Sequence, residues 1–149
     1  MTSQFEIQHV NKPMAVFTTI LEDHVEFNKY MKQVILEHRQ KFPDSTKSNV
    51  KAWHSSWTTH AENPKFQPLV DLTLDACKFI SAGYYECNDI EYNVINMWAM
   101  MYEDTEWTKR HSHYPSDFAS CYYVDVEPGC APVIFERVVK DGVHDNNQP

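Results

Sequence analysis

The chain has 149 residues, 42% of them hydrophobic and 23% charged, which is enough for one soluble domain with a real core. Its 21 acidic and 13 basic residues leave a net charge of −8, a balance that argues against non-specific nucleic-acid binding. No stretch has the length or apolarity of a membrane span, and the start, Met1 to His9, lacks the basic and apolar regions of a signal peptide.

The first twenty residues hold two short apolar runs, Phe5–Ile7 and Met14–Phe17, separated by Asn11, Lys12 and Pro13. Proline cannot donate to a ladder, so an edge strand or an extended arm is expected here and a central strand is not. From Glu22 to Lys41 the period changes. Phe27, Tyr30, Met31, Val34, Ile35 and His38 recur at spacings of three and four, the stripe of an amphipathic helix. Glu22, Asp23 and Glu26 stand at its start and Arg39 and Lys41 at its end, as the helix dipole prefers, and Pro43 closes it.

Asp44 to Val50 is polar and reads as a surface loop. Lys51 to His60 reads as a strand or extended segment with Trp53 and Trp57 on one side. His54 and His60 lie in it. Histidines of this kind are commonly structural or surface residues, and a substrate-contacting role stays open. Asn63-Pro64 is a helix start, an N-cap residue followed by proline at the first helical position. Leu69, Val70, Thr73, Ala76, Cys77, Ile80 and Tyr84 then share one helical face, and Gly83 is placed as a C-cap. The two helices are expected to bury Phe27, Met31, Val34, Leu69, Cys77 and Ile80 against the rest of the chain.

From Ile90 the period becomes two. Ile90, Tyr92, Val94, Asn96, Trp98 and Met100 would share one face of a strand, and Asn93, Ile95, Met97, Ala99 and Met101 the other. Both faces are apolar enough for a strand covered on both sides. Asn96 is the polar exception, and as a buried amide it would be a structural tie or a ligand contact. Tyr102 to Glu106 forms an acidic turn. Two further strands are expected at Ala119–Val126 and from Pro132 to Val138, with a turn at Glu127-Pro128-Gly129 between them. Lys140 to Pro149 is a polar tail. Cys77, Cys87, Cys121 and Cys130 show no CxxC pairing and read as reduced, buried small hydrophobes of a cytoplasmic protein.

The chemistry concentrates at His111-Ser112-His113. In an extended chain residues i and i+2 point to the same side, so both imidazoles would meet one volume, as two ligands of one metal ion must. A helix would set them about 200° apart. The competing view is two barrel histidines bonded to neighbours without metal. Asp117, four residues past His113, offers a third, carboxylate ligand in the manner of a cupin motif. Its plainer role is a turn residue beside Ser116.

Asn96-Met-Trp-Ala-Met-Met-Tyr, His111-Ser-His113-Tyr-Pro-Ser, Ser120-Cys-Tyr-Tyr-Val and Pro132-Val-Ile-Phe-Glu together resemble a family of 2-oxoglutarate- and Fe(II)-dependent oxygenases. Many of its members come from marine bacteria and their phages. The resemblance runs from about Met14 to about Glu136, with Tyr114 inserted before the proline that follows the histidine pair.

It implies an α+β fold: two N-terminal helices, within a leading region at 1–88, packed on a double-stranded β-helix (a jelly-roll or cupin-like barrel) at 89–138, and a tail at 139–149. It implies Fe(II) held by His111 and His113, 2-oxoglutarate as cosubstrate, and hydroxylation of a substrate it does not name. Tyr123 and Asn96 are the candidates for holding the cosubstrate. It places the protein in the cytoplasm, a host's if phage-encoded.

The family pattern continues into a distal histidine and an arginine for the cosubstrate carboxylate, and the sequence after Glu136 does not repeat it. His144 is the sole downstream histidine, and Arg137 and Lys140 are the cations near it. A shortened barrel, with open sheet edges suited to self-association and weak or no turnover, is the expectation. A non-catalytic, cupin-like metal- or partner-binding domain is the alternative.

Overall fold

The computed structural model describes residues 6–9, 15–43 and 49–135. It mixes helices with small antiparallel sheets, the α+β class expected. The chain divides into two compact units, Val25–Val124 and a second made of Met1–His24 with Asp125–Pro149.

In the second unit β1 (Glu6–His9) pairs with β2 (Ala15–Thr18), His9 opposite Ala15 and Glu6 opposite Thr18. Of the two expectations, edge strand or extended arm, the strand is the one formed, as a two-stranded hairpin. Pro13 and the rest of the connection lie outside the described residues. Glu127-Pro128-Gly129 forms the expected turn, closed by Cys130 N–H donating to the Glu127 carbonyl at 3.2 Å. Gly129 holds φ +93°, a conformation that side-chain-bearing residues rarely adopt.

The larger unit is built on two helices. α1 (His24–Lys41) carries Glu26 in its first turn and His38, Arg39 and Lys41 in its last, so charge follows the dipole. Its inner stripe is Met31, Val34 and His38. α2 is one turn, Thr59–Glu62. Asn63 then caps a tight turn at Pro64–Phe66, its side chain accepting from Lys65 N–H at 3.1 Å, and α3 runs from Gln67 to Tyr84. The helix start read from Asn63-Pro64 is therefore right. Gly83 is not the cap, since it lies inside the helix and the cap is Tyr85. Among the described residues no helix is long and apolar enough to cross a membrane.

The core joins the helices to two short chain segments. Met31, Val34, Trp53, Phe66 and Ala99 are buried together, with Phe27, Leu69, Met97 and Met101 packed around them. Cys77 and Ile80 are half-buried, outside that cluster. Cys87, Cys121 and Cys130 are exposed, and the expectation that all four thiols are buried is corrected. All three exposed cysteines lie outside the helices and strands.

The strands are shorter than the sequence suggests. β3 (Val50–Lys51) pairs with β6 (Trp107–Thr108), and β4 (Trp53–His54) with β5 (Met100–Met101), all antiparallel. No closed barrel or jelly roll is formed among the described residues. The stretch 90–96 lies outside any strand, and Ile95 is 67% exposed. Residues 119–126 and 132–135 are likewise not in strands. Apolar alternation describes a chain that can pair, but a strand also needs a partner backbone. These segments use side chains instead. Tyr122 donates to Asn28 Oδ1 at 2.5 Å and packs edge-on to Phe27, while Tyr92 shares a 2.6 Å hydrogen bond with Ser81.

Two measurements test this core. Met31 is 0% exposed, so Met31→Ala should cost about 2–5 kcal/mol in chemical denaturation, and Leu69→Ala, half-buried, should cost less. His38 is buried against the rings of Phe42, Phe66 and Trp53. Burial pushes its pKa below the usual histidine value, and Lys41 adds to this against the pull of Glu62. The unfolded chain takes up that proton near pH 6.5 and the folded chain only at lower pH. The stability His38 contributes is therefore full above about pH 6.5 and is lost as pH falls below it. Replacing His38 by Met should flatten the acid limb of the stability curve relative to the wild type; parallel curves would refute this.

Candidate functional site

One piece of backbone pairing builds the site. β4 and β5 place Trp53 opposite Met101 and His54 opposite Met100. The pairing continues past both strands. Ser55 N–H donates to the Ala99 carbonyl at 3.0 Å, Met97 N–H to the Trp57 carbonyl at 2.9 Å, and Thr59 N–H to the Met97 carbonyl at 3.2 Å. At Ala99 the Ser55 hydroxyl replaces a backbone acceptor, taking the amide proton at 2.8 Å, and Thr59 Oγ1 lies 2.6 Å from the same oxygen.

Alternation then sorts the side chains. Met97, Ala99 and Met101 go to the helical core. Trp98 joins a cluster of rings. It lies nearly parallel to His54 (5.5 Å, 9°) and to His113 (5.6 Å, 21°), and Trp57 stands edge-on to both Trp98 and His54. Trp53 and Trp57, expected on one side, part company: Trp53 is in the core with its Nε1 donating to the Phe42 carbonyl at 2.9 Å. His54 is 1% exposed, with Nδ1 2.5 Å from the Ser55 carbonyl. His60 is half-buried, and its Nδ1 is buried without a hydrogen-bond partner among the described residues.

The histidine pair follows β6. Lys109 N–H donates to the Asn49 carbonyl at 2.8 Å, and pairing with the 49–51 segment stops there. Neither histidine lies in a strand, which corrects the strand expectation. The two rings nevertheless lie close: the centroids of His111 and His113 are 4.7 Å apart, with planes at 71°. His111 Nδ1 lies 2.8 Å from the Lys109 carbonyl, which can only accept, so Nδ1 is the donor and the neutral tautomer with that bond holds its lone pair on Nε2. Desolvation, to which the Trp98 face contributes, pushes the His113 pKa below the usual value, and His111 adds to the effect. Both imidazoles are exposed to solvent, and a metal would take each in its neutral form.

The chain reverses after the pair. Ser116 N–H donates to the His113 carbonyl at 2.8 Å, the Tyr114–Pro115 bond is cis, and Tyr114 is 91% exposed. Asp117 follows, also exposed.

The chain matches no protein-family model, no curated protein and no solved structure.

The residue types and their placement therefore carry the chemistry. Among the described residues no three His, Cys, Asp or Glu side chains are gathered as for a metal ion, with or without Asp117. Asn96 is exposed, which corrects its reading as a buried amide: it stands just before the paired segment begins at Met97. Tyr123 is 52% exposed. His144, Arg137 and Lys140 lie outside the described residues.

Sequence reasoning missed that His54 and Trp98 form one stack with His113. The signal available was the alternation at 97–101, which sets Trp98 opposite in face to Met97 and Ala99. What it lacked was the pairing partner.

Ser55→Ala would strip the buried Ala99 amide of its acceptor, and should cost about 1–3 kcal/mol in denaturant unfolding. A cost near zero would show that water replaces the hydroxyl.

Proposed function

We propose that this chain carries the metal-binding part of a non-haem Fe(II), 2-oxoglutarate-dependent oxygenase of the double-stranded β-helix type, with His111 and His113 as two of the iron ligands. The observation that carries the reading is the pair itself: two imidazoles 4.7 Å apart, one of them with Nδ1 committed to a backbone carbonyl and Nε2 left open. Metal-bound histidines almost always hold their second nitrogen in this way, because it fixes tautomer and ring direction. Neutral imidazole suits Fe(II), and a face of three protein ligands leaves three positions for cosubstrate and O₂. Bound there, iron with 2-oxoglutarate would supply oxidative hydroxylation of a substrate.

The chain's own share of that work is positional. The β3–β6 pairing through Lys109 brings the backbone to His111, and the Lys109 carbonyl aims its ring. Asp117, beyond the turn at Tyr114–Pro115, is the nearest carboxylate in sequence after the pair and the candidate third ligand. Tyr123 and Asn96 remain the candidates for the cosubstrate, as a hydroxyl and an amide able to bond a carboxylate.

A second reading draws on a different observation. No third ligand joins the pair among the described residues. A two-imidazole site of that kind suits a non-catalytic, cupin-like domain that binds a metal or a partner without turnover.

Co(II) titrated into the protein in place of iron should develop visible absorption bands that vanish in a His111→Ala/His113→Ala variant. The loss should exceed the roughly 10–100-fold that removing a supporting hydrogen-bond partner costs. His60→Ala serves as the control and should bind like wild type. Equal binding by the double variant would refute the assignment. Succinate formation from 2-oxoglutarate by the iron-loaded protein then separates the two readings.

A further inference from the structure

A metal bound through an imidazole nitrogen lies close to the plane of that ring, because the lone pair does. For two imidazoles the metal must lie near both planes. The planes of His111 and His113 meet at 71°, so the places open to a shared ion are confined to the line where they cross. Tilting either ring moves that line. Each ring therefore needs its own restraint if the site is to hold one ion in one place.

His111 has such a restraint in the bond from Nδ1 to the Lys109 carbonyl. His113 lies in a segment outside any strand, and its ring is stacked, offset and near-parallel, on the indole of Trp98 at 5.6 Å and 21°. We propose that Trp98 is the positioning residue of His113, setting the plane in which that imidazole offers its nitrogen to a metal. This rests on the reading of His111 and His113 as ligands. A metal in the plane of His113 lies beside the indole plane and not on it, so Trp98 acts through the histidine and touches no reacting atom.

The indole can do this because it is itself held. The residues on either side of it are bonded: Met97 N–H to the Trp57 carbonyl, and Ala99 through both its N–H and its carbonyl to Ser55. Its ring lies parallel to His54, which is buried on β4. Trp57 closes against its edge at 4.6 Å. Rigidity thus passes from a paired backbone to an indole and from there to an imidazole in a loop. Ordering a free histidine side chain on metal binding costs conformational entropy, and a ring already stacked has lost most of it in advance.

The test compares the full chain with Trp98→Phe, Trp98→Leu and Trp57→Leu, each titrated with Co(II) and followed by visible absorption. Phenylalanine keeps a flat face for His113, whereas leucine fills space without one. Trp98→Leu should bind about tenfold more weakly with altered band positions, Trp98→Phe should restore most of the affinity, and Trp57→Leu, which removes one edge support of the indole and leaves its face to His113, should lose less than Trp98→Leu. Leucine at position 98 binding as tightly as wild type, or Trp57→Leu losing as much, would overturn the proposal while leaving the histidine pair intact. Wild type binding no better than His111→Ala/His113→Ala would remove the ligand assignment and the role of Trp98 with it. A readout free of both metal and variant stability is the proton spectrum of the wild-type protein. The carbon-bound ring protons of His113, assigned by their loss in His113→Ala, should be displaced by the indole ring current, and ordinary positions for them would refute the stack.

Discussion

Everything described in the larger unit depends on residues 53–59 lying against residues 97–101. The contact is a short one, two residue pairs between β4 and β5 extended by backbone bonds at Ser55, Trp57 and Thr59. It does two jobs because a pleated chain points successive side chains in opposite directions. On one side it closes the hydrophobic core under α1 and α3 with Ala99, Met97 and Met101. On the other it sets Trp98 near-parallel both to His54 and to His113. Stability and site geometry here share the same hydrogen bonds.

The hydroxyl of Ser55 shows how tightly this is drawn. A regular ladder would offer the Ala99 amide a carbonyl. Here it meets a side chain, which also lies within bonding distance of Thr59 at the head of a one-turn helix. The backbone can therefore leave strand geometry at Ser55 and enter α2 four residues later without abandoning a buried N–H. The chain turns out of the sheet where serine and threonine supply the missing acceptor and donor.

Local order was legible in the sequence and long-range pairing was not. The stripe of α1 and the Asn63-Pro64 start are encoded within a few residues, and both are present. The alternation from Ile90 to Met101 is equally plain, yet only its last part is paired, because a strand is a property of two segments and the second is not visible in the first. The same limit applies to the site. Spacing sets His111 and His113 together only by assuming a strand, and their rings approach although no strand forms there. His54, some sixty residues earlier in the chain, reads alone as an isolated histidine, and only the fold places it beside Trp98.

The alternation at 97–101 also sets how this segment can change over generations. Substitutions at single positions are judged by one side only, the core or the ring cluster. Insertions and deletions are not. Loss of one residue between Met97 and Met101 would reverse every side chain beyond it, turning an indole toward the space now filled by the methyl group of Ala99 and withdrawing the surface beneath His113. Changes of length that keep both faces must come two residues at a time.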